Sequence, residues 1–464
     1  MKENKGSLSV YMHARRHSWT SLRTKSRKQR WLRIALAAAL LVGSLHFMRK
    51  HLIYRAALTL KYTPTTFPHI RTETEAALGD SSWQWEEADA PSSTPLPSSS
   101  FDRQDFLNHR SDWHRLGGGF EGEIFQYGDN VAKVFRKTNA PFRNCVPGAS
   151  PELRWPTEIS ASLILGGITN GSRGSIEGDD ERIDKDAIFL PVTDYFLAPK
   201  ARGEQPRWHF LTPFLPLGGL GKLAKRLRHE DRPRTTRELD TLFRPSLERL
   251  LRGLDEMHTT HELCHDDVKL DNIFIASPRS DGPQAYEATH WMLGDLGNVR
   301  EVDHPYHSSL VWLEKGRNLP DCRATDVLRL LKVYISFLRQ SVRDTASFDK
   351  ALFRGAEPWS ALFWSVRHAA WGIGEMRLLS AASALDMSQA KYRTIDLPNM
   401  SGQIGPHIPE LRSPWYRMLV GERRILAMAT GKLLDVRTGE AMAKAWALAP
   451  ILGTPSSPCE VATA

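Results

Sequence analysis

The sequence predicts an α+β protein behind a single N-terminal transmembrane helix. Three observations predict it. Short runs of alternating apolar residues fill the stretch between residues 113 and 215. After Gly221 apolar residues recur at spacings of three and four. An unbroken apolar stretch at 34–48 stands behind a strongly basic tail. A period of two marks a strand with one buried face, and a period of 3.6 marks an amphipathic helix.

The basic tail covers residues 1–33 and holds ten Lys or Arg against a single acid, Glu3. The apolar stretch behind it is fifteen residues long, short of the roughly 20 that a spanning helix needs. Trp31 and Leu32 before it and Leu52, Ile53 and Tyr54 after it extend the segment. Arg33, Arg49 and Lys50 reach the interface by snorkelling, and Trp31 suits that boundary. The span is therefore set at 34–52, as an uncleaved signal anchor. A cleaved signal fits poorly, because the basic region is long and no clear small-x-small site precedes Arg49. A mitochondrial presequence is the rival, since the segment is rich in Arg and Ser and nearly free of acids. Ten positive charges ahead of the span keep the N-terminus in the cytosol. That gives a type II single-pass protein with its body in the lumen of the ER or Golgi.

Residues 53–110 show no regular pattern, and ADAPSSTPLPSSS (88–100) has the Ser/Pro composition of a stalk or linker. Folded sequence is expected from about Trp113. Within 111–216, EGEIFQYG (121–128) and NVAKVFRK (130–137) read as strands joined at Gly128-Asp129-Asn130. A helix is expected in ELRWPTEISASLIL (152–165), then a polar loop over 167–184. Two further strand-like runs follow, DAIFLPVTDYFLA (186–198) and WHFLTPFL (208–215). The Pro/Gly-containing connection PFLPLGGLG leads into a helical part, 217–455, whose clearest element is an amphipathic helix at 239–258. Residues 456–464 are a tail. The sequence contains no internal repeat.

The chain has 62 basic and 53 acidic residues, and removing the tail's ten and one leaves 52 of each. A neutral body lacks the basic excess that neutralises phosphates, which argues against nucleic acid as a partner. Four cysteines (Cys145, Cys264, Cys322, Cys459) are too few for a disulfide-dense secreted domain. One or two bridges fit, and the spacing does not choose between them. Asn170-Gly171-Ser172 and Asn399-Met400-Ser401 fit the N-glycosylation pattern, and both follow the span.

Several stretches carry chemistry. LGGGFEGEIF (116–125) puts Gly117, Gly119 and Gly122 in a G-x-G-x-x-G pattern, which lets backbone amides approach phosphates with no side chain between. A Gly-rich hairpin turn alone would look the same. Lys133 follows in Val131-Ala132-Lys133, where a lone strand lysine is the plainer reading. Glu158 opens the helical run ISASLIL, with Glu152 a competitor for the same role. HELCHDDVKLDNIFI (261–275) is the most specific stretch, matching H-x-D-x-x-x-x-N at His265, Asp267 and Asn272. Asp295-Leu296-Gly297 begins 23 residues after Asn272. Asp326 lies in RATDVLRLLKVY.

Taken in register, these stretches make residues 113–335 resemble a protein kinase domain of the divergent serine/threonine type. The resemblance implies a bilobal fold with a strand-rich N-lobe (111–216) and a helical C-lobe (217–455). It implies ATP and Mg²⁺ as cofactors, with Gly117, Gly119, Gly122 and Lys133 on the phosphates and Glu158 paired with that lysine. Asp267 would orient the acceptor hydroxyl and take its proton, and Lys269 would face the transferring phosphoryl group, a lysine associated with serine/threonine acceptors. Asn272 and Asp295 would hold the metal, and Asp326 would brace the loop.

The departures carry information too. Asp266 replaces the family's arginine and so removes the cation that receives an activation-loop phosphate; switching by that route is not expected. Leu296 replaces a phenylalanine, no Ala-Pro-Glu closes the segment, and the likeness fades beyond about residue 340. The reading is a membrane-anchored kinase of protein serine or threonine hydroxyls. An inactive pseudokinase scaffold and a small-molecule or glycan kinase of the same fold are the alternatives. His258, His261 and His265 have spacings that invite zinc, but no acidic or thiol cluster completes a site in the sequence.

Overall fold

The first helix does not stop where the apolar stretch stops. In the computed structural model the described residues are 8–65, 101, 103–119, 121–136, 144–145, 154–168, 187–199, 206–276, 290–316, 318–372, 413–437 and 439–454. Helix α1 (Leu8–Lys61) runs through the basic tail and the apolar stretch and continues past both. Its part Gln29–Lys61 is long and apolar enough to cross a membrane. At the end of that part, Tyr54, Ala57, Leu58 and the following Tyr62 are buried against Tyr306, Val311, Trp312, Ala443 and Ala447. Their spacing of three and four makes one apolar stripe on the end of the helix.

The other end of the expected linker is also folded. Helix α2 (Arg103–Asn108) buries Phe106 completely. That ring packs with Ala132, Phe196 and Leu211 of the sheet and stacks on Trp113 at 4.3 Å. Arg103 donates two hydrogen bonds to Asp194, at 2.6 and 2.7 Å. The expectation of a linker over 53–110 with folding from about Trp113 is therefore corrected at both ends. Six helical residues are too few to show a period, so α2 is not legible in the sequence. The Ser/Pro run itself lies outside the described residues, as do Asn170, Asn399, Cys459 and the tail 456–464.

Five antiparallel strands form the sheet, in the order β1-β2-β3-β7-β6. They are β1 (His114–Gly118), β2 (Gly122–Tyr127), β3 (Asn130–Phe135), β6 (Asp194–Pro199) and β7 (Pro206–Pro213), with a two-residue pair, β4 (Asn144–Cys145) and β5 (Arg154–Trp155), between them in sequence. Asn130 pairs with Tyr127, and Gly128 makes the turn with a φ of +55° that suits glycine. Helix α3 (Thr157–Gly166) begins later than expected because Pro156 stands at its N-cap, where its missing N–H costs nothing. Of the run 186–198 only the last residues form a strand. Phe189 instead bridges to Leu293 and Val192 to Ile168, which ties the sheet to the helical part.

That part contains α4 (Leu220–His229), α5 (Thr236–Thr259), α6 (Cys322–Ser341), α7 (Thr345–Arg354), α8 (Pro358–Gly372), α9 (Pro414–Val420), α10 (Glu422–Leu433), α11 (Glu440–Trp446) and α12 (Ala449–Leu452). Helix α5 starts in a reciprocal capping box between Thr235 and Glu238 and buries Leu239, Phe243, Leu247, Leu250 and Leu254. Four short strands lie among these helices: β8 (Leu263–Cys264), β9 (Ile273–Ala276), β10 (His290–Leu293) and β11 (Arg300–Glu301). They pair as β9 with β10 and β8 with β11. Cys264 and Cys322 form a disulfide, joining β8 to the start of α6.

Phe106→Ala should cost about 3–5 kcal/mol, the range for emptying a buried aromatic site. Chemical unfolding of the full chain checks this, and an unchanged midpoint would show that α2 is not part of the folded body.

Candidate active site

Strand β3 and helix α3 bring a lysine against a glutamate. Lys133 Nζ lies 2.5 Å from Glu158 Oε2, 3.0 Å from Glu121 Oε2 and 3.4 Å from Asp295 Oδ1. Glu152, the other candidate partner, lies outside the described residues. The three glycines behave differently. A Cβ at Gly117 or Gly119 would meet nothing within 4 Å, whereas one at Gly122 would lie 2.5 Å from the Val134 carbonyl oxygen. Gly122 is thus needed for β2 to lie on β3, while the other two leave bare backbone at the hairpin tip.

The 265–272 loop is held from behind by one carboxylate. Asp326 Oδ2 accepts from the His265 amide at 2.6 Å, and its Oδ1 accepts from the Asp266 amide at 3.0 Å. Arg329, one turn further along α6, donates to the Asp266 carbonyl at 2.8 Å. The backbone at Asp266 is left-handed, with φ +64°, a conformation that costs a non-glycine residue about 1–2 kcal/mol. These three bonds offset that cost and aim the next residue outward.

Asp267 is that residue. Its Oδ2 accepts from Lys269 Nζ at 2.7 Å and from Asn298 Nδ2 at 3.4 Å, and its carbonyl accepts from Asn272 Nδ2 at 2.9 Å. Lys269 also reaches Asp295, at 3.7 Å. Asp295 is itself left-handed, with φ +56°, and opens a short turn of 3-10 helix. An unbroken line of contacts therefore runs Glu158–Lys133–Asp295–Lys269–Asp267, and Asn272 joins it at Asp267. All of the sequence-predicted catalytic, lysine-pairing and metal-binding residues meet in it.

Burial and charge compete along this line. Burial pulls Lys133 down, but Glu158, Glu121 and Asp295 outweigh it and hold the ammonium well above its ordinary value. Burial raises Glu158 to about 7 against the pull of Lys133. Burial also opposes ionisation of Asp295, yet Lys133, Lys269 and His265 keep it below the usual carboxylate range. Lys269 is held above its ordinary value, its own desolvation overcome by Asp267 and Asp295. The site is thus two lysines set among carboxylates.

A second network lies behind the loop. Arg300 NH1 donates to Asp266 Oδ2 at 2.8 Å, and His307 Nε2 lies 3.0 Å from the same oxygen. Arg300 NH2 donates to the Lys61 carbonyl of α1 at 3.1 Å, and its guanidinium stacks over Tyr306 at 4.7 Å. Burial would raise Asp266, but His307 and Arg300 reverse that and hold it well below its ordinary value. Burial would lower His307, and the Asp266 carboxylate outweighs it and holds the imidazole above its ordinary value.

Sequence reasoning missed Glu121, Asn298, Arg300 and His307. Two had a signal: Glu121 sits inside the glycine-rich run, and Asn298 directly follows Asp-Leu-Gly. Arg300 and His307 had none, since they lie 34 and 41 residues from Asp266. The histidine trio does not converge on a metal. Only His258 lies in a potential ligand group, with Asp326 and Cys264, and the Cys264 sulfur is committed to the disulfide.

No family model matches the chain, and no curated protein matches it.

Arg300→Ala should destabilise the protein by about 3–5 kcal/mol, because it leaves a buried carboxylate with only one of its two cationic partners; denaturant unfolding measures this. The His307 contribution has a defined pH dependence. Its folded value is raised, so the stabilisation is complete below the unfolded value of about 6.5 and is lost as pH rises through the folded one. His307→Gln should therefore flatten the fall in unfolding free energy above about pH 6.5. Parallel profiles for the two proteins would refute that assignment.

Proposed function

We propose that this chain is an ATP-dependent phosphotransferase anchored in a membrane by α1, acting on serine or threonine hydroxyls of proteins. The strand-rich part 111–216 and the helical part 217–455 would be the two lobes of a kinase-like body. One observation supports this reading above the rest. The line of ion pairs joins Lys133 to Asp295 across 162 residues of sequence and continues through Lys269 to Asp267.

The residues present fit the cofactors. Asn272 commits its amide nitrogen to the Asp267 carbonyl, so its carbonyl oxygen is the atom left for a cation. Asp295 adds a carboxylate held ionised. Oxygen donors of this kind suit Mg²⁺. Asn272 and Asp295 would hold the metal, and Lys133 with the bare backbone at Gly117 and Gly119 would hold the phosphates of ATP. Bound there, Mg²⁺-ATP supplies the transferable phosphoryl group with its charge partly neutralised.

The protein's own residues do the rest. Asp267 accepts a hydrogen bond from the acceptor hydroxyl and takes its proton. Asn298 and Lys269 fix the rotamer of that carboxylate, and Lys269 balances charge between Asp267 and Asp295. Glu158, in contact with Lys133, sets where the lysine points.

The side of the membrane is part of the proposal. A buried Cys264–Cys322 disulfide favours an oxidising compartment, and the basic tail favours a cytosolic N-terminus. Both support a body in the ER or Golgi lumen. There a glycan hydroxyl is the alternative acceptor, so protein and carbohydrate acceptors are to be assayed side by side.

The test uses the full chain in detergent or nanodiscs, because the end of α1 packs into the body. Asp267→Asn should lower phosphate transfer about 10²–10⁴-fold while leaving Mg²⁺-ATP binding intact, and Lys133→Ala should weaken that binding. A folded chain that neither binds nor turns over ATP would instead be a scaffold.

A further inference from the structure

We propose that the turn after α11, residues 447–454, is a second membrane contact, and that lipid acyl chains fill the groove between it and α1. The inference goes beyond the phosphotransferase reading and depends only on α1 being a span.

The geometry begins at α11, which descends along α1 towards the membrane. Its first residue, Glu440, pairs with Lys61 and accepts from the Tyr62 hydroxyl at 2.7 Å. Its last, Trp446, stacks on Tyr54 at 6.3 Å and lies tilted against Phe47 at 5.8 Å. Helix α11 therefore passes from the end of α1 down to the last turns of the apolar stretch. The chain then turns at Leu448, where φ is +52°. Leu448 helps to close a groove of about 470 Å³ whose other wall includes Ala39, Leu40, Gly43, Phe47 and Met48.

Those wall residues belong to the apolar stretch itself. If 34–48 lies in hydrocarbon, Leu448 lies at the same depth. The alternative is to withdraw the end of the stretch from the bilayer, and its length does not allow that. Fifteen residues rise only about 22 Å, against a core of about 30 Å. The span needs more residues, not fewer, and the next ones are Arg49 and Lys50.

Trp446 and Leu448 lie beside that end of the stretch. Lys50 Nζ sits 4.6 Å from the centre of the Trp446 ring, so the indole covers the lysine at the point where the bilayer ends. Tryptophan is favoured at that boundary. Below it, residues 447–454 carry no charge. Ile451 and Leu452 are 78% and 54% exposed to what would otherwise be water. Two bare aliphatic side chains on a four-residue helix, beside a transmembrane segment and beyond its tryptophan, match an interfacial lipid contact.

A vesicle experiment decides it. The full chain is reconstituted in phosphatidylcholine vesicles containing a phosphatidylcholine with a photoactivatable acyl chain, irradiated, and mapped by mass spectrometry. Label is expected on the span and on the peptide that follows Lys444. The double variant Ile451→Asp, Leu452→Asp should reduce label on that peptide by about tenfold or more, while label on the span and Asp267-dependent turnover persist. A labelled span with an unlabelled hairpin would overturn the proposal. So would a labelled span whose Ala39–Gly43 face is spared, which would give the groove to a second chain. No label on either segment would overturn the anchor reading and this proposal together, whatever the phosphotransferase assay shows.

Discussion

A single buried carboxylate sets the positions of most of the segments around the site. Asp266 is almost wholly removed from solvent, and an ionised group there is tolerable only with counter-charges and hydrogen bonds in place. Arg300 from β11 and His307 supply the charges. Asp326 and Arg329 from α6 hold the backbone on either side of the side chain. Through Arg300 the same network reaches the last turn of α1. None of these segments can shift far without stranding a charge in the interior, so the aim of the neighbouring Asp267 is a consequence of how Asp266 is satisfied.

The substitution that looked like a loss in the sequence acquires a different meaning here. An aspartate in place of the arginine of the kinase pattern removes a cation from the loop. The structure places a cation opposite it, on the segment that follows Asp-Leu-Gly. The pair is present with its polarity reversed, and it is complete without a phosphate. Asp266 is thus a single acid held among Arg300, His307 and Arg329.

The sequence was legible wherever position and chemistry were encoded locally. The hairpin of β2 and β3 followed from alternation and a glycine turn, and α5 followed from its apolar stripe. Lys133, Asp267, Asn272 and Asp295 stood in recognisable short motifs, and the contacts among them follow from the fold. What stayed hidden was non-local or too short to have a period. Arg300 and His307 look like ordinary surface residues until their partner is known. Helix α2 spans less than two turns, and its single buried ring, Phe106, says nothing alone. Four cysteines allow several pairings, and only the approach of β8 to the start of α6 selects Cys264 with Cys322. The end of α1 was misread for a related reason: its stripe of Tyr54, Ala57, Leu58 and Tyr62 follows directly on an apolar stretch and is hard to separate from it by composition.

That last point changes how the body relates to its anchor. A stalk between span and body would let the site sample a wide volume above the membrane. Here α1 leaves the apolar stretch and within two turns is buried against Tyr306, Trp312 and Ala443. Its terminal carbonyl is one hydrogen bond from Arg300, which is one more from Asp266. Residues 66–100 therefore connect two segments that both pack on the body, and they do not set its distance from the membrane. Swinging the body away from α1 would break the Lys61–Glu440 pair and expose Arg300 and Asp266 together. The Asp266–Asp267 loop is accordingly held at a fixed distance from the apolar stretch of α1.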